Sequence, residues 1–198
     1  MSTGLPLLQA SVIPAGFRHG FTTRAGGVSA APFDSLNLGV KWGDDAAKVQ
    51  ENRSRLLAAS GAAHAGWRGT VGGVAPALVS ALGRAFGSRA ADLAVALGPC
   101  IGPCCFEVGP EVAAAFSAAL PGASGVVLER PGRKPHVDLR RALAWQLAAA
   151  GVDPARIEAV EGCTVCDPAR RFFSYRRDRG QTGIHAGFIT GAPALHPA

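Results

Sequence analysis

The chain has 198 residues, 48% of them hydrophobic, which is enough for one domain with a sizeable core that needs no disulfide bonds. No stretch approaches the run of roughly 20 apolar residues that a membrane helix needs. The N-terminus also lacks the basic and apolar segments of a secretion signal. The sequence therefore predicts a cytoplasmic protein without a membrane partner.

The formal net charge is +6, and 17 of the 20 basic residues are arginines. Arginine suits planar recognition of phosphates and carboxylates, and it suits nucleic acids equally well. The five cysteines are an odd number, which in a reducing compartment favours buried thiols, metal ligands or nucleophiles over disulfides. Composition thus indicates anion binding without choosing the partner.

Strand and helix signals alternate along the first half of the chain. Residues 17–29 predict a short strand that runs into a glycine turn. Asp44 and Asp45 stand ahead of a helical pattern, and residues 64–73 form a glycine-rich loop. The predicted helix after this loop carries apolar residues near one face: Val74, Leu78, Leu82 and Phe86.

The same alternation continues in the second half. Residues 94–97 predict a buried strand, and Glu111 opens a helix. Asp138 is a good N-cap for another helix that ends near Gly151. Two further strand candidates follow: residues 157–160 and 172–175. The pattern predicts a mixed α/β fold in a single domain, residues 1–198.

The segment HAGWRGT (64–70) combines a histidine, a tryptophan, an arginine and glycines just before a helix. Glycines let the backbone approach a ligand, and a helix N-terminus favours an anion. His64 suits a metal ligand or a general base, and Arg68 suits a phosphate. A tight strand-to-helix turn with a core histidine explains the pattern equally well.

Two Gly-Pro turns bring three thiols and a carboxylate together in residues 98–108. The segment fits a soft-metal site or a reactive thiol. Together with Cys163 and Cys166 it could form a four-thiolate zinc site, but the spacing matches no standard zinc signature. Buried cysteines in tight turns are the favoured interpretation.

Residues 170–179, RRFFSYRRDR, interleave arginines with aromatic residues, which suits stacking on bases and neutralising phosphates. A strand with one buried aromatic face and solvated arginines explains the segment as well. No RNA-binding signature accompanies it. We therefore expect no nucleic-acid partner.

Eight short segments in a fixed order span nearly the whole chain: HGFTTRAGGVS (19–29), SLNLGVKWGDD (35–45), ENR (51–53), HAGWRGT (64–70), GPCIGPCCFEVGPEV (98–112), HVDL (136–139), GCT (162–164) and FFSYRRD (172–178). Together they closely resemble the YfiH-like family, also called multicopper polyphenol oxidases or laccase-domain proteins. Each motif alone is weak, but their number and order make the identification specific.

The resemblance implies a layered α/β/β/α architecture and an enzyme that acts on purine nucleosides. The implied activities are phosphorolysis of adenosine, inosine, guanosine and methylthioadenosine, and deamination of adenosine, with nucleoside and phosphate as partners. The family holds its metal, zinc with copper as the alternative, through two histidines and a cysteine. The second of these histidines corresponds to His64.

The chain departs from the family pattern at two places. The family's other two ligands lie between the ENR-containing helix and HAGWRGT, where this chain has only residues 54–63. An internal block near 58–63 is therefore missing, and Cys105, or else Cys104 or His136, is a candidate replacement ligand. Because the block would also supply core strands, we favour an omission from the sequence, which predicts an abrupt chain break between Ser60 and His64. The second departure is Ile184, where the family commonly has arginine.

Phosphorolysis assigns roles to residues within the matched motifs. Phosphate must be held beside the anomeric carbon while the purine leaves, and the candidates for holding it are Arg24, Arg68 and Arg176. The candidates for hydrogen bonds to ribose or base are Asn37 and Ser174, and those for stacking on the purine are Trp67 and Phe106. The expected catalytic residues are His64, Arg68 and Arg176.

Three other functions remain open at this point. A copper-dependent polyphenol oxidase needs many histidines, and this chain has five, scattered along its length. A non-catalytic family member that has lost its metal would fit a genuine internal deletion. An RNA-binding module would rest on the arginine-aromatic segment, and steeply salt-dependent oligonucleotide binding would reveal it.

Overall fold

The computed structural model describes residues 6–14, 17–56 and 63–191. The chain divides into two compact units, one of residues 1–62 with 167–198 and one of residues 63–166. The chain break expected between Ser60 and His64 falls mainly on residues 57–62, outside the described residues, so it stays a prediction. No helix in the described part of the chain is long and apolar enough to cross a membrane.

The first unit contains a helix, α1 Ala46–Leu56, and three strands, β1 Leu7–Leu8, β2 Phe17–Thr22 and β7 Gly187–Gly191. The strands form an antiparallel sheet of order β1-β2-β7. The central strand pairs on both sides, with Phe21 opposite Leu8 and Gly187. The strand predicted at the start of residues 17–29 is therefore confirmed.

Helix α1 begins where the sequence predicts it. The Oδ1 atom of Asp45 accepts hydrogen bonds from the backbone N–H groups of Ala47 at 2.8 Å and Lys48 at 3.4 Å. These donors lack partners within the helix, so the carboxylate stabilises its first turn. Val49, one turn further on, is 1% exposed, and it anchors the helix in the core of this unit.

The second unit, all of which the structure describes, contains four α-helices and two pairs of short strands. The helices are α2 Trp67–Val71, α3 Val74–Phe86, α4 Pro110–Ala119 and α5 Leu139–Ala149. The parallel pair is β3 Val95–Leu97 with β6 Ile157–Ala159, and the antiparallel pair is β4 Val127–Leu128 with β5 His136–Val137. Strands β3 and β6 confirm the predictions at 94–97 and 157–160, and the mixed α/β class is confirmed as well.

Two clusters of buried apolar side chains form the core of the second unit. Phe116 of α4 and Val137 of β5, both fully buried, belong to the first cluster. Ala75 of α3 and Leu147 of α5 belong to the second. Removing this much apolar surface from water is the main force that holds short helices and two-residue strands together.

Both ends of helix α5 follow the sequence prediction. The side chain of Asp138 accepts a hydrogen bond from the N–H of Arg141 at 3.0 Å, which is an N-cap. Gly151, just past the helix, has φ of +91°, a value that favours glycine because it has no Cβ.

Helix α3 has the predicted span, but its apolar stripe is not the buried face. Ala75 and Val79 belong to the second core cluster, whereas Leu78 is 43% and Phe86 77% exposed. The small side chain of Ala75 sits where α3 approaches α5, so the helix is turned toward its smaller residues. Leu78 and Phe86 consequently remain at the surface.

Residues 64–73, predicted as a glycine-rich loop, contain the short helix α2. The prediction of a loop is therefore wrong for the residues of α2. The N–H and the hydroxyl of Thr70 both donate to the carbonyl oxygen of Gly66, at 2.8 and 3.1 Å. Gly73, with φ of +74°, then separates α2 from α3. Glycine serves here to redirect the backbone between two helices.

The strand predicted at residues 172–175 is also wrong, because side chains satisfy the backbone there. The N–H of Phe173 donates to Nε2 of His185 at 2.9 Å, and the carbonyl oxygen of Phe172 accepts from Nη2 of Arg177 at 2.8 Å. Phe172 and Phe173 are consecutive and both buried, so the alternation of a half-buried strand is absent.

Candidate functional site

Segment 64–70 presents a histidine, an aromatic ring and a guanidinium at the surface of the second unit. His64 and Arg68 are exposed, whereas Trp67 is half-buried and packs against the core cluster around Phe116. The guanidinium carbon of Arg68 lies 4.4 Å from the centroid of the Trp67 ring, which is a cation–π distance. A ring anchored in the core thus orients an exposed cation, an arrangement suited to an anionic or planar ligand.

The backbone of this segment is held from inside the unit. The side-chain amide of Gln146 in α5 donates to the carbonyl oxygen of Thr70 at 2.7 Å, and both residues are buried. Gly66 lies so close to His64 that an added Cβ would be 2.9 Å from Nε2 of the imidazole. Helix α5 therefore fixes the position of α2, and Gly66 leaves room for the histidine ring.

Arg24, a phosphate candidate in the first unit, is paired with a carboxylate. Its Nη2 atom lies 2.9 Å from Oδ1 of Asp34, and its Nε donates to the carbonyl oxygen of Asp34 at 2.6 Å. The guanidinium carbon also lies 4.9 Å from the centroid of the Phe173 ring. This ion pair offsets part of the charge that a phosphate would meet.

Asn37, a candidate for binding ribose or base, is fully buried and bonded within its own unit. Its Nδ2 donates to the carbonyl oxygen of Gly39 at 2.8 Å and to Oδ2 of Asp44 at 2.7 Å. Its Oδ1 accepts from the N–H groups of Gly39 at 3.1 Å and Ile184 at 2.8 Å. All four hydrogen-bonding positions of the amide are used, so a bond to substrate would replace an internal one.

Ser174 and Arg176 lie in a turn organised by Asp178. Oδ2 of Asp178 accepts from the N–H of Ser174 at 3.1 Å, and Nε of Arg177 donates to Oδ1 at 2.7 Å. Burial raises the pKa of Asp178, but the bonds from Arg177 and Ser174 outweigh it, and the pKa falls below its ordinary value. Ser174 is buried, whereas Arg176 is exposed.

The sequence-predicted residues divide between the two units. His64, Trp67, Arg68, Cys105 and Phe106 lie in the second unit, and Arg24, Asn37, Ser174 and Arg176 lie in the first. Phe106 is 7% exposed and belongs to the core cluster around Phe116. Of the two stacking candidates, Trp67 is therefore the one with surface to offer a purine.

Four cysteines converge in the second unit, at a place separate from His64. The Sγ atoms of Cys104, Cys105, Cys163 and Cys166 all lie within 4.8 Å of one another. Cys104 and Cys166 are exposed, so the expectation of buried cysteines in tight turns is wrong for these two. The C-x-x-C spacing at 163–166 is the signal for this cluster in the sequence. The other two cysteines, Cys104 and Cys105, are adjacent and so lack that spacing.

Backbone contacts hold the two cysteine segments side by side. Cys100 and Cys163 form an isolated parallel β-bridge, and the N–H of Thr164 donates to the carbonyl oxygen of Cys100 at 3.0 Å. The N–H of Gly102 donates to Sγ of Cys163 at 3.2 Å. A Cβ on Gly102 would lie 3.2 Å from Sγ of Cys104, so glycine allows the close approach.

The thiols of this cluster differ in acidity. Burial raises the pKa of Cys163, but backbone N–H donors, among them those of Cys166 and Gly102, outweigh it and lower the pKa to about 6. Burial and hydrogen bonds from neighbouring thiols raise the pKa of Cys104 to about 11 and that of Cys105 further. Cys163 is therefore more acidic than Cys104 and Cys105.

Residues 18–62 and 58–192 match the profile of a family described as multi-copper polyphenol oxidoreductase laccase. The chain belongs to this laccase-domain family. A purine nucleoside phosphorylase of Deinococcus radiodurans is 35% identical to it, with 91% of this chain and 90% of that protein aligned. The adenosine deaminase RL5, from an unknown prokaryote, is 42% identical over 125 residues, which are 63% of this chain and 45% of that protein.

A solved structure of the family confirms the fold. YlmD from Geobacillus stearothermophilus superimposes on this laccase-domain chain with a TM-score of 0.81 at 30% identity. The superposition covers 92% of this chain and 94% of YlmD.

The described residues do not complete a metal site at His64. Within residues 6–14, 17–56 and 63–191, the one set of three or more histidine, cysteine or acidic side chains close enough to share an ion is the four-cysteine cluster. His64 is not part of it, and Cys105, the candidate replacement ligand, lies in that cluster. The residues present therefore do not fit a zinc or copper ion held by His64.

Sequence reasoning missed the structural role of His185. Its Nε2 accepts from Phe173, and its ring centroid lies 5.7 Å from that of Phe172 and 5.1 Å from that of Phe173. Burial lowers the pKa of His185 to about 4, with further contributions from the charges of Arg24 and Arg177. His185 is thus a neutral hydrogen-bond acceptor in the first unit. No local sequence pattern predicts this role.

Proposed function

We propose that this chain catalyses the phosphorolysis of purine nucleosides, namely adenosine, inosine, guanosine and methylthioadenosine. The observation that carries the proposal is the 35% identity to the Deinococcus phosphorylase over 91% of the chain. The exposed His64 and Arg68, oriented by Trp67, support it. The partners are a nucleoside and phosphate, and the cytoplasm is the compartment that supplies both.

Phosphorolysis of a purine nucleoside requires a binding site for phosphate, a surface on which the purine stacks, and a proton donor for the leaving base. A phosphate oxygen forms a bond to C1′ while the bond from C1′ to the purine nitrogen breaks, and the purine leaves with the bonding electrons. Positive charge develops on the sugar, so a phosphate held beside it stabilises the transition state. Arg68 holds the phosphate, Trp67 stacks on the purine, and the His64 imidazole gives the leaving base its proton.

Arg24 and Arg176 are the phosphate candidates in the first unit. The Arg176 side chain is exposed, and Arg24 is paired with Asp34. Asn37 and Ser174 remain candidates for the nucleoside, although both already take part in internal hydrogen bonds. None of these proposed roles routes a step through a metal ion, because the described residues do not complete a site at His64.

Adenosine deamination is a second candidate activity. The similarity to the adenosine deaminase RL5 favours it, since 63% of this chain takes part in that match. Deamination needs a water molecule activated for attack on the purine ring, and we assign no residue of this chain to that task. A polyphenol oxidase is disfavoured because the described histidines join no metal-binding group.

A comparison of two arginine variants tests the phosphate role. With inosine saturating, we expect Arg68→Ala to raise the KM for phosphate at least about tenfold, since it removes a charged ligand of the anion. Arg89→Ala is the matched control, because Arg89 is an exposed arginine of the same unit, paired only at the surface with Asp92. Equal KM values for phosphate in the two variants would contradict the assignment of Arg68 as a phosphate ligand.

We also infer that an internal block is missing near residues 58–63. Two observations support this inference. The family profile matches in two pieces that meet at residues 58–62, and the Deinococcus alignment runs over 241 positions, more than the 198 residues of this chain. Sequencing the coding DNA decides the matter: inserted codons at this point would support an omission, and an uninterrupted reading frame would show a genuine loss.

A further inference from the structure

We propose that Cys104, Cys105, Cys163 and Cys166 bind a zinc ion at a structural site, distinct from the site expected at His64. Four cysteines are a common ligand set for structural zinc, with Zn–S bonds of about 2.3 Å in a tetrahedron. Such a tetrahedron places its sulfurs about 3.8 Å apart. Here all four Sγ atoms lie within 4.8 Å of one another, and those of Cys104 and Cys166 are 3.5 Å apart.

The ligand type and the compactness of the cluster favour a single soft metal ion. Four thiolates in a tetrahedron are occupied by zinc or by iron–sulfur centres, while calcium and magnesium prefer oxygen ligands. An iron–sulfur cluster spreads its cysteines over separate iron atoms. Sulfurs that all lie within 4.8 Å of one another enclose the space of a single ion.

The surroundings of the sulfurs are those of a prepared site. The N–H of Gly102 already donates to Sγ of Cys163 at 3.2 Å, and Nδ1 of His136 donates to the carbonyl oxygen of Pro103 at 2.6 Å. Outer contacts of this kind orient ligands before the metal arrives. The exposure of Cys104 and Cys166 leaves the ion a path into the site.

A cation lies beside the segment that carries Cys163. Arg140 donates a hydrogen bond to the carbonyl oxygen of Gly162, next to Cys163. Its Nε atom is buried and has no hydrogen-bond partner within the described residues. A zinc ion with four thiolates has a net charge of −2, so a neighbouring guanidinium lowers the cost of holding it partly away from water.

The proposed ion would join two segments that are far apart in the sequence. One follows β3 and leads through Cys105 to the buried Phe106, and the other follows β6 and ends at Cys166, the last residue of the second unit. Zinc would add a covalent-like tie where the chain otherwise has one isolated β-bridge and a few hydrogen bonds. We therefore expect it to stabilise the second unit.

Metal titration of the full chain under reducing conditions tests the proposal. We expect about one zinc per chain by elemental analysis, and cobalt(II) in its place should give the intense thiolate-to-metal charge-transfer absorption of a four-sulfur site. Cys163→Ser and Cys166→Ser should lose both signals. Cys100→Ser is the matched control, because Cys100 is the one cysteine outside the cluster, and it should keep both.

Two further measurements make the outcome decisive even if a cysteine variant folds poorly. In wild-type protein, zinc should protect four of the five thiols from alkylation, and chelation should expose them again. His64→Ala should retain the zinc, which separates this site from the one considered for catalysis. The proposal is overturned if reduced wild-type protein binds no zinc, if His64→Ala loses it, or if Cys104 and Cys166 are found joined as a disulfide in freshly isolated protein.

Discussion

The side-chain amide of Asn52 donates a hydrogen bond to the carbonyl oxygen of Asn37 at 2.8 Å, and both residues are fully buried. The same Nδ2 atom lies 2.9 Å from Oγ of Ser29 and 3.1 Å from the carbonyl oxygen of Ser35, so its two hydrogens are shared among three acceptors, while Oδ1 accepts from the N–H of Val28 at 2.9 Å. Asn52 of α1 therefore holds the preceding loop in place. This contact is a structural role for the ENR and SLNLG segments.

Asn52→Ala should destabilise the protein strongly. The variant leaves the buried carbonyl oxygen of Asn37 and the N–H of Val28 without the partner that Asn52 provides, and each such group costs about 1–3 kcal/mol. Because water and small shifts recover part of this, we expect a loss of about 2–4 kcal/mol in the free energy of unfolding, measured by urea denaturation. Gln50→Ala, at an exposed position of the same helix, should change it by less than about 0.5 kcal/mol.

Gly27→Ala should destabilise the protein through a steric clash, by more than the different backbone preferences of glycine and alanine would. A Cβ at Gly27 would lie 2.1 Å from the carbonyl oxygen of Ser35 and 2.4 Å from Cα of Leu36. Both contacts are with backbone, so the loop itself must move, and we expect a loss of about 3 kcal/mol or more by denaturation.

Gly83→Ala is the contrasting variant for this prediction. Gly83 lies in helix α3, and the nearest atom to its added Cβ, the carbonyl oxygen of Ser88, would be 3.4 Å away. Alanine is the better helix former, so this variant should be neutral or stabilising by up to about 1 kcal/mol. Equal stability of the Gly27 and Gly83 variants would contradict the close approach at Gly27.

Asp167→Asn should weaken the first unit through the loss of an ion pair. Nη2 of Arg171 lies 2.6 Å from Oδ1 of Asp167, whose side chain is 2% exposed. Hydrogen bonding from Arg171 holds the pKa of Asp167 below its ordinary value, although burial opposes this. Since Arg171 is itself 40% exposed and can turn to water, we expect a loss of about 1–3 kcal/mol.

The exposed pair of Arg89 and Asp92 supplies the control for that prediction. Both side chains are more than half exposed and their charged atoms are 3.4 Å apart. Asp92→Asn should therefore change the melting temperature little, because surface ion pairs contribute about 0–1 kcal/mol. A melting temperature for Asp167→Asn as high as that of Asp92→Asn would show that the pair at Asp167 contributes nothing.

His185 should make the protein less stable as the pH falls from about 6.5 to about 4. Burial, Arg24 and Arg177 lower its folded-state pKa to about 4, whereas an unfolded histidine titrates near 6.5. Between these values the unfolded chain binds a proton that the folded chain does not, so acid favours unfolding, by up to about 3 kcal/mol in total. Asp167 and Asp178, with lowered pKa values, act at lower pH.

Thermal melts of wild-type protein and His185→Gln across this range measure the effect. Glutamine keeps an acceptor for the N–H of Phe173 and does not titrate. The variant should therefore lose less stability than wild type between pH 6.5 and pH 4. Parallel curves for the two proteins would contradict a lowered pKa of His185 in the folded protein.

Local signals in the sequence predicted the elements whose ends are set by local contacts. Asp45 and Asp138 cap the helices that follow them, and Gly151 takes the positive φ expected after α5. Capping is a contact between residues two to four apart in the chain. It can therefore be predicted from the local sequence without knowledge of the fold.

Features that depend on distant partners could not be predicted in this way. The backbone at Phe173 bonds to His185, twelve residues away, and this contact replaces the predicted strand. The four-cysteine cluster joins thiols 62 residues apart, such as those of Cys104 and Cys166, and the sequence offered it only as an alternative because its spacing matches no standard zinc signature. For α3, the apolar period predicted the helix, but Ala75 and Val79 rather than Leu78 and Phe86 face the core.

The most direct test of the proposed function is the release of hypoxanthine from inosine by the purified chain, with and without phosphate. We predict release that requires phosphate, yields ribose 1-phosphate, and falls roughly 10²-fold or more in His64→Ala, since general acid catalysis contributes about 10²–10⁴. Release of hypoxanthine without phosphate, or none in folded wild-type protein at any phosphate concentration, would contradict the assignment of this chain as a phosphorylase.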